Sequence, residues 1–345
     1  MFEALKDKKR YIVSPIYDGV FFLTPPLLAL ALGIWVSTST FANMEVEFSG
    51  EKESLAGFLI GVFIHAHLSI VFFRSHGNKD IFATHPVRFT VVPIALFAGI
   101  VLNDFILVSV SVLATYWDVY HSGAQTFGFA RIYDAKAGNP LEAGRRLDFL
   151  LNQLLYAGPI LGGVVLVQHL EDLREFQDVG IMFFSKVPVL MGGLHANLAW
   201  ATVYFGTLFL LYYLTVQYRL YRAGYKICPQ KVILLVLTGF CSIYTWGFNS
   251  FGEAFFIMNF FHALQYFGLV WASERDNMQR MFRLENKAGG KYWTLVLFVG
   301  IAVGYGFFTQ TVDGSVRSLL ALGSVCSIMH FWYDGFVWSV RKHQI

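Results

Sequence analysis

Long apolar runs recur along the whole chain, separated by short stretches of charged or turn-forming residues. Runs long enough to cross a bilayer lie near 15–37, 54–74, 86–101, 103–131, 148–169, 188–219, 231–248, 252–274, 292–310 and 316–340. About 20 predominantly apolar residues span the hydrocarbon as a helix, so the pattern predicts an all-α, polytopic membrane bundle of about ten helices in a single domain. The connecting charges test that count, because Lys and Arg collect in cytoplasmic loops. Lys6, Lys8, Lys9 and Arg10 precede the first run, and the next loop carries Glu45, Glu47, Glu51 and Glu53 against Lys52 alone. Basic loops (Arg74, Lys79, Arg88; Arg131, Lys136, Arg145, Arg146; Arg219, Arg222, Lys226, Lys231; Arg275 to Lys291; Arg341-Lys342) then alternate with acidic or bare ones (Asn103-Asp104; Glu171 to Asp178; Asn249; Asp313). This places both termini in the cytoplasm, and one miscounted helix would invert every later loop. A cleaved signal peptide competes for the N-terminus, but the run from Gly19 to Val36 exceeds the usual signal core and contains Pro25-Pro26.

Composition strengthens the picture. Of 345 residues 56% are hydrophobic and 14% charged, against roughly 45–50% and about 25% in soluble domains. Such an excess needs an apolar solvent outside the fold; a bacterial inner membrane is the expected location, with membrane lipids as neighbours. A net charge of +3 suits short basic loops and shows no nucleic-acid footprint. Cys228, Cys241 and Cys326 have no CxxC spacing, which indicates neither a disulfide framework nor a thiolate metal site.

Polar groups inside spans carry the chemistry, because each is costly in lipid and persists mainly with a partner or a function. Asp118, His121 and Gln125 are spaced i,i+3 and i,i+4 and share one helical face. His262 and Gln265 are i,i+3 with Asn259 one turn earlier, and His330 and Asp334 are i,i+4. His65 and His67, about 200° apart on a regular helix, are expected to supply one inward ligand; His65 is ranked first because Gly61 lies one turn before it. His121, His262 and His330 lie roughly 10–12 residues from their cytoplasmic ends, on the order of 15–18 Å, and Asp18 enters the same half of the bilayer. Imidazoles and carboxylates in one dry layer are the ligand set of a divalent metal, non-haem iron first, with zinc or manganese as alternatives and one or two ions. Asp118 and Asp334 are suited to orient a ligating imidazole through its second nitrogen.

The competing reading of each His is an interhelical hydrogen bond. His76 and His85 flank a basic loop as interfacial residues, His169 and His343 read as surface residues, and His195 follows Met191-Gly192-Gly193 as a packing residue. Arg131, Arg145 and Arg146 read as topology determinants, with Tyr133-Asp134 as a lid beside them.

The stretches SPIYDGVFF, VYHSGAQTF, NFFHALQYFGLVW and IMHFWYDGF resemble, in order, the sparse His motifs of the Brp/Blh bacterial β-carotene dioxygenases. Asp18 stands where that family has its first His, and Tyr266 where it has the second His of the late pair. The resemblance implies metal ligation by His121, His262 and His330. At the departures from the family pattern Asp118, His65 and His67 are available to make up the ligand set, Asp18 is read as a fourth ligand from its depth, and Asp118, Asp334 and Tyr266 are the candidate catalytic groups. The expected function is iron- and O₂-dependent oxidation or cleavage of a lipid-soluble substrate, carotenoid-, isoprenoid- or acyl-like, with an electron donor as a further partner. A transporter or proton relay built on the same Asp and His residues is the alternative reading.

Overall fold

The computed structural model describes residues 7–48, 51–168, 170, 186–249, 251–312 and 316–338. His169, His343, the acidic stretch from Glu171 to Asp178 and Arg341-Lys342 lie outside the described residues.

Each of the ten apolar runs is helical over most of its described residues. In chain order the helices are α1 (Pro15–Asp18), α2 (Pro25–Thr38), α3 (Leu55–Ser69), α4 (Val71–Ser75), α5 (Lys79–Thr84), α6 (Pro86–Leu102) and α7 (Asp104–Lys136). They continue with α8 (Arg145–Gly162), α9 (Val187–Arg222), α10 (Pro229–Phe248), α11 (Phe251–Met281), α12 (Gly290–Thr311) and α13 (Arg317–Val337). The all-α expectation holds, apart from a hairpin that the sequence reading did not foresee. Its strands β1 (Glu45–Phe48) and β2 (Glu51–Ser54) pair antiparallel, Glu45 opposite Ser54.

Among the described residues five helices are long and apolar enough to cross a membrane: Leu55–Ser75 taken as one, Val187–Arg222, Pro229–Phe248, Ala254–Met281 and Gly290–Thr311. The first run adds a sixth only as a broken span. There α1 passes through a π turn (Gly19–Leu23) and α2 leaves at a bend of 50°, because Pro25 and Pro26 interrupt the amide ladder. The remaining runs fall short of the ten-span expectation for visible reasons. Helix α6 has 17 residues, α8 begins on Arg145-Arg146 and stops at Gly162 rather than 169, and α7 and α13, though 33 and 21 residues long, lack a span-length window that is apolar enough.

The chain forms two compact units, Met1–Gly33 with Tyr116–His262 and Ile34–Thr115 with Ala263–Ile345; the boundaries fall inside α2, α7 and α11. In the first unit α8 packs on α9 and α10, around a core of Ala29, Tyr156, Cys241, Trp246, Ile257 and Phe261. His195 of α9 closes the end of α8, its Nε2 2.8 Å from the Gly163 carbonyl oxygen.

In the second unit α3 packs closely on α12. Gly306 makes this approach possible, since a Cβ there would overlap the Val62 carbonyl, and Gly61 leaves room for the Gln310 side chain. Helix α13 packs on α3, α4 and α6.

Candidate functional site

In the first unit the polar faces of α7 and α11 meet rung by rung. Asn259 Nδ2 approaches Asp118 Oδ2 at 3.4 Å, His121 Nε2 lies 3.2 Å from His262 Nε2, and Gln125 Nε2 donates to the His262 carbonyl at 3.2 Å. The first two pairs share a sequence separation of 141, so these two helix segments run parallel. The i,i+3 and i,i+4 spacings account for the ladder, because each turn presents one polar group to the neighbouring turn. Both imidazoles are buried.

The pair fits a shared metal ion. At a metal–nitrogen distance of about 2.1 Å, two nitrogens 3.2 Å apart subtend about 100° at the ion, between the octahedral and tetrahedral angles. The same separation suits a hydrogen bond in which one ring donates and the other accepts.

The second unit holds the other cluster. The His67 ring meets the His330 ring edge-on, with centroids 5.0 Å apart, and Tyr266 packs on His330 at 4.6 Å. Tyr266 OH donates to Asp334 Oδ1 at 2.6 Å, the Trp338 indole N–H donates to the same oxygen at 2.9 Å, and Asp334 Oδ2 stands 4.0 Å from His330 Nε2. Asp334 thus fixes Tyr266 against His330. His67 and His330 are both buried.

Two sequence expectations change here. His67, not His65, is the member of its pair that meets other candidate ligands. The reason is the helix partner: Gly61 does permit a close approach, but the helix that approaches is α12, and the His65 Nδ1 bonds the Gly61 carbonyl at 2.8 Å. The second concerns Asp18, which the structure engages elsewhere. Its carboxylate accepts from the amides of Ile12 at 2.6 Å, Val13 at 2.9 Å and Ser14 at 3.2 Å, and from Tyr133 OH at 3.0 Å. A carboxylate engaged by four donors anchors the segment before α1.

Sequence reasoning missed a buried charge square in the first unit. Arg131 Nη1 reaches Asp134 at 2.7 Å and Asp148 at 2.5 Å, while Lys231 Nζ reaches the same two carboxylates at 2.8 Å each. Tyr213 OH donates to Asp148 at 2.8 Å. Tyr225, in the loop before α10, has its pKa raised by burial and then by the Asp134 charge. The i,i+3 spacing of Arg131 and Asp134 was the available signal, read instead as loop charge and a lid. A second buried pair, Arg74 with Glu274, lies in the second unit, where Asn78 and Asn277 also donate to Glu274. His76 bonds the Phe89 carbonyl at 2.9 Å and His85 packs on Phe336, in keeping with structural roles.

No protein-family model matches the chain, and no curated protein and no solved structure matches it.

Proposed function

We propose that the chain is an integral-membrane metalloenzyme that holds non-haem iron through the imidazoles of His121 and His262 in the first unit, with His67 and His330 of the second unit as a separate candidate pair for a second ion. Its reaction is O₂-dependent oxidation or cleavage of a lipid-soluble substrate. The observation that carries this reading is the approach of two buried imidazole nitrogens to 3.2 Å, a spacing that a metal of ordinary bond length bridges at an ordinary angle. The ordered resemblance to the Brp/Blh dioxygenases supports it. Bound iron supplies an open coordination position for O₂. The side chains do the rest: Asp334 holds the Tyr266 hydroxyl and stands beside His330, Asp118 is paired with Asn259 behind His121, and the apolar surroundings exclude water.

The proposed topology is ten spans with both ends in the cytoplasm of a bacterial inner membrane. Loop-charge alternation supports it, and so does the parallel course of the α7 and α11 segments, which are the fourth and eighth runs. Reporter fusions after Lys52 and Arg174 should read periplasmic, and fusions after Arg145 and at the C-terminus cytoplasmic. A cytoplasmic reading after Arg174 overturns the count.

Metal analysis of the purified protein tests the function. Near-stoichiometric iron without a Soret band is expected, and the His262→Ala protein should lose it. Metal-free protein in both forms would overturn the proposal in favour of a proton relay, for which the His121–His262 contact serves as a hydrogen bond.

A further inference from the structure

His65, displaced from the metal cluster, lines a cleft of about 300 Å³ in the second unit, together with Ser111 of α7, Thr309 of α12 and Ser324 and Ser327 of α13. Phe308 and Leu320 form apolar wall and are 42% exposed each, so the cleft opens on the apolar surface that lipid covers. Its volume sits at the small end of ligand sites, roughly 300–1,000 Å³. That is room for a head and the first part of a tail.

The hydrogen-bond inventory of this cleft is one-sided. A Ser or Thr hydroxyl has one proton to donate, and a neutral imidazole has one N–H. Ser111 donates to the Leu107 carbonyl at 3.0 Å, Thr309 to Gly306 at 2.8 Å, Ser324 to Leu320 at 2.9 Å and Ser327 to Gly323 at 3.1 Å. His65 Nδ1 faces the Gly61 carbonyl at 2.8 Å, and a carbonyl only accepts, so the proton sits on Nδ1 and Nε2 carries a lone pair. All five polar side chains thus donate to the backbone of their own helices and keep only acceptor capacity. An acceptor-only ligand, such as an ester or a ketone, would leave these groups unpaired. Among the described residues no carboxylate lines the cleft, so none of them offers a cation its counter-charge. The complementary ligand brings its own O–H on an apolar body.

We propose that this cleft binds a lipid-soluble alcohol or phenol whose hydroxyl donates to His65 Nε2. The site needs no metal, and it lies on the side of α3 away from His67, because residues i,i+2 point about 200° apart. The proposal therefore stands whether or not the iron reading does.

The test uses full-length protein in lipid nanodiscs and farnesol with a photoreactive diazirine in its tail. Labelled peptides are mapped, and farnesol, farnesyl methyl ether and a prenyl hydroquinone serve as competitors. The expected result is labelling of the α12 and α13 residues of the cleft, with the methyl ether competing about tenfold more weakly than farnesol, the loss of one hydrogen bond. In the His65→Phe protein the difference between alcohol and ether should vanish while the iron content stays as in the unaltered protein. Tighter competition by the hydroquinone assigns the ligand to redox-active lipids, and tighter competition by farnesol assigns it to prenols; either supports the proposal. Equal competition by alcohol and ether on the unaltered protein overturns it, a result that does not depend on any variant folding. So does labelling spread over α9 as strongly as over the cleft.

Discussion

Removing Asp148 should destabilise the first unit out of proportion to one side chain. Its Oδ2 accepts from Arg131 at 2.5 Å and from Lys231 at 2.8 Å, and its Oδ1 accepts from Tyr213 at 2.8 Å. The side chains of Asp148, Asp134, Arg131 and Lys231 are all 7% exposed or less, so water cannot replace a lost partner. Asp148→Leu leaves two buried cations sharing Asp134, a net uncompensated charge. Breaking a buried pair in this way costs about 3–5 kcal/mol, and the stranded Tyr213 hydroxyl adds about 1 kcal/mol. The square joins α7, α8 and α10, and His121 lies about 15 Å further along α7, so loosening it should also reduce bound iron. Asp148→Leu combined with Lys231→Met removes one charge of each sign and restores neutrality. Equilibrium unfolding in mixed detergent, followed by tryptophan fluorescence, should show the double variant more stable than Asp148→Leu alone, with a coupling of about 2–3 kcal/mol. If Asp148→Leu costs under about 1 kcal/mol, or the two effects simply add to within about 0.5 kcal/mol, the four charges do not act as a unit and the reasoning fails.

Asp18→Ala strands three amides and the Tyr133 hydroxyl and should lose about 2–4 kcal/mol of stability, with iron content unchanged; iron loss as complete as in His262→Ala would return Asp18 to the ligand set. His67→Ala should lower bound iron and His65→Ala should not, and metal analysis showing the reverse would refute the assignment of His67. Gly306→Ala forces α3 and α12 apart and should cost about 1–3 kcal/mol by thermal denaturation. Gly304→Ala on the same helix meets no atom within 4 Å and should be neutral or stabilising by up to about 1 kcal/mol; matching effects at the two positions would show that the close approach at Gly306 is not what matters.

Properties confined to one helix were legible in the residue pattern. The apolar runs are largely helical because hydrophobic length suffices to form a helix, even around Pro93 in α6 and Pro159 in α8, and the break between α1 and α2 falls at the Pro25-Pro26 pair. The faces carrying Asp118, His121 and Gln125, and Asn259 and His262, follow from the 3.6-residue turn, and loop charges implied that α7 and α11 run in the same direction. Which neighbour each face meets was decided only by tertiary structure. His65 and Asp18 show why: a helical period says which residues point together, not whether α12 or α13 lies opposite. Gly61 receives the Gln310 side chain of α12, and Asp18 receives the Tyr133 hydroxyl over a separation of 115 residues. The charge square is the same lesson in electrostatics. Arg131 and Lys231 have the spacing of ordinary cytoplasmic loop charges, and their burial against Asp134 and Asp148 arises only when α7, α8 and α10 pack, because an ion pair's surroundings are set by chain segments distant in sequence.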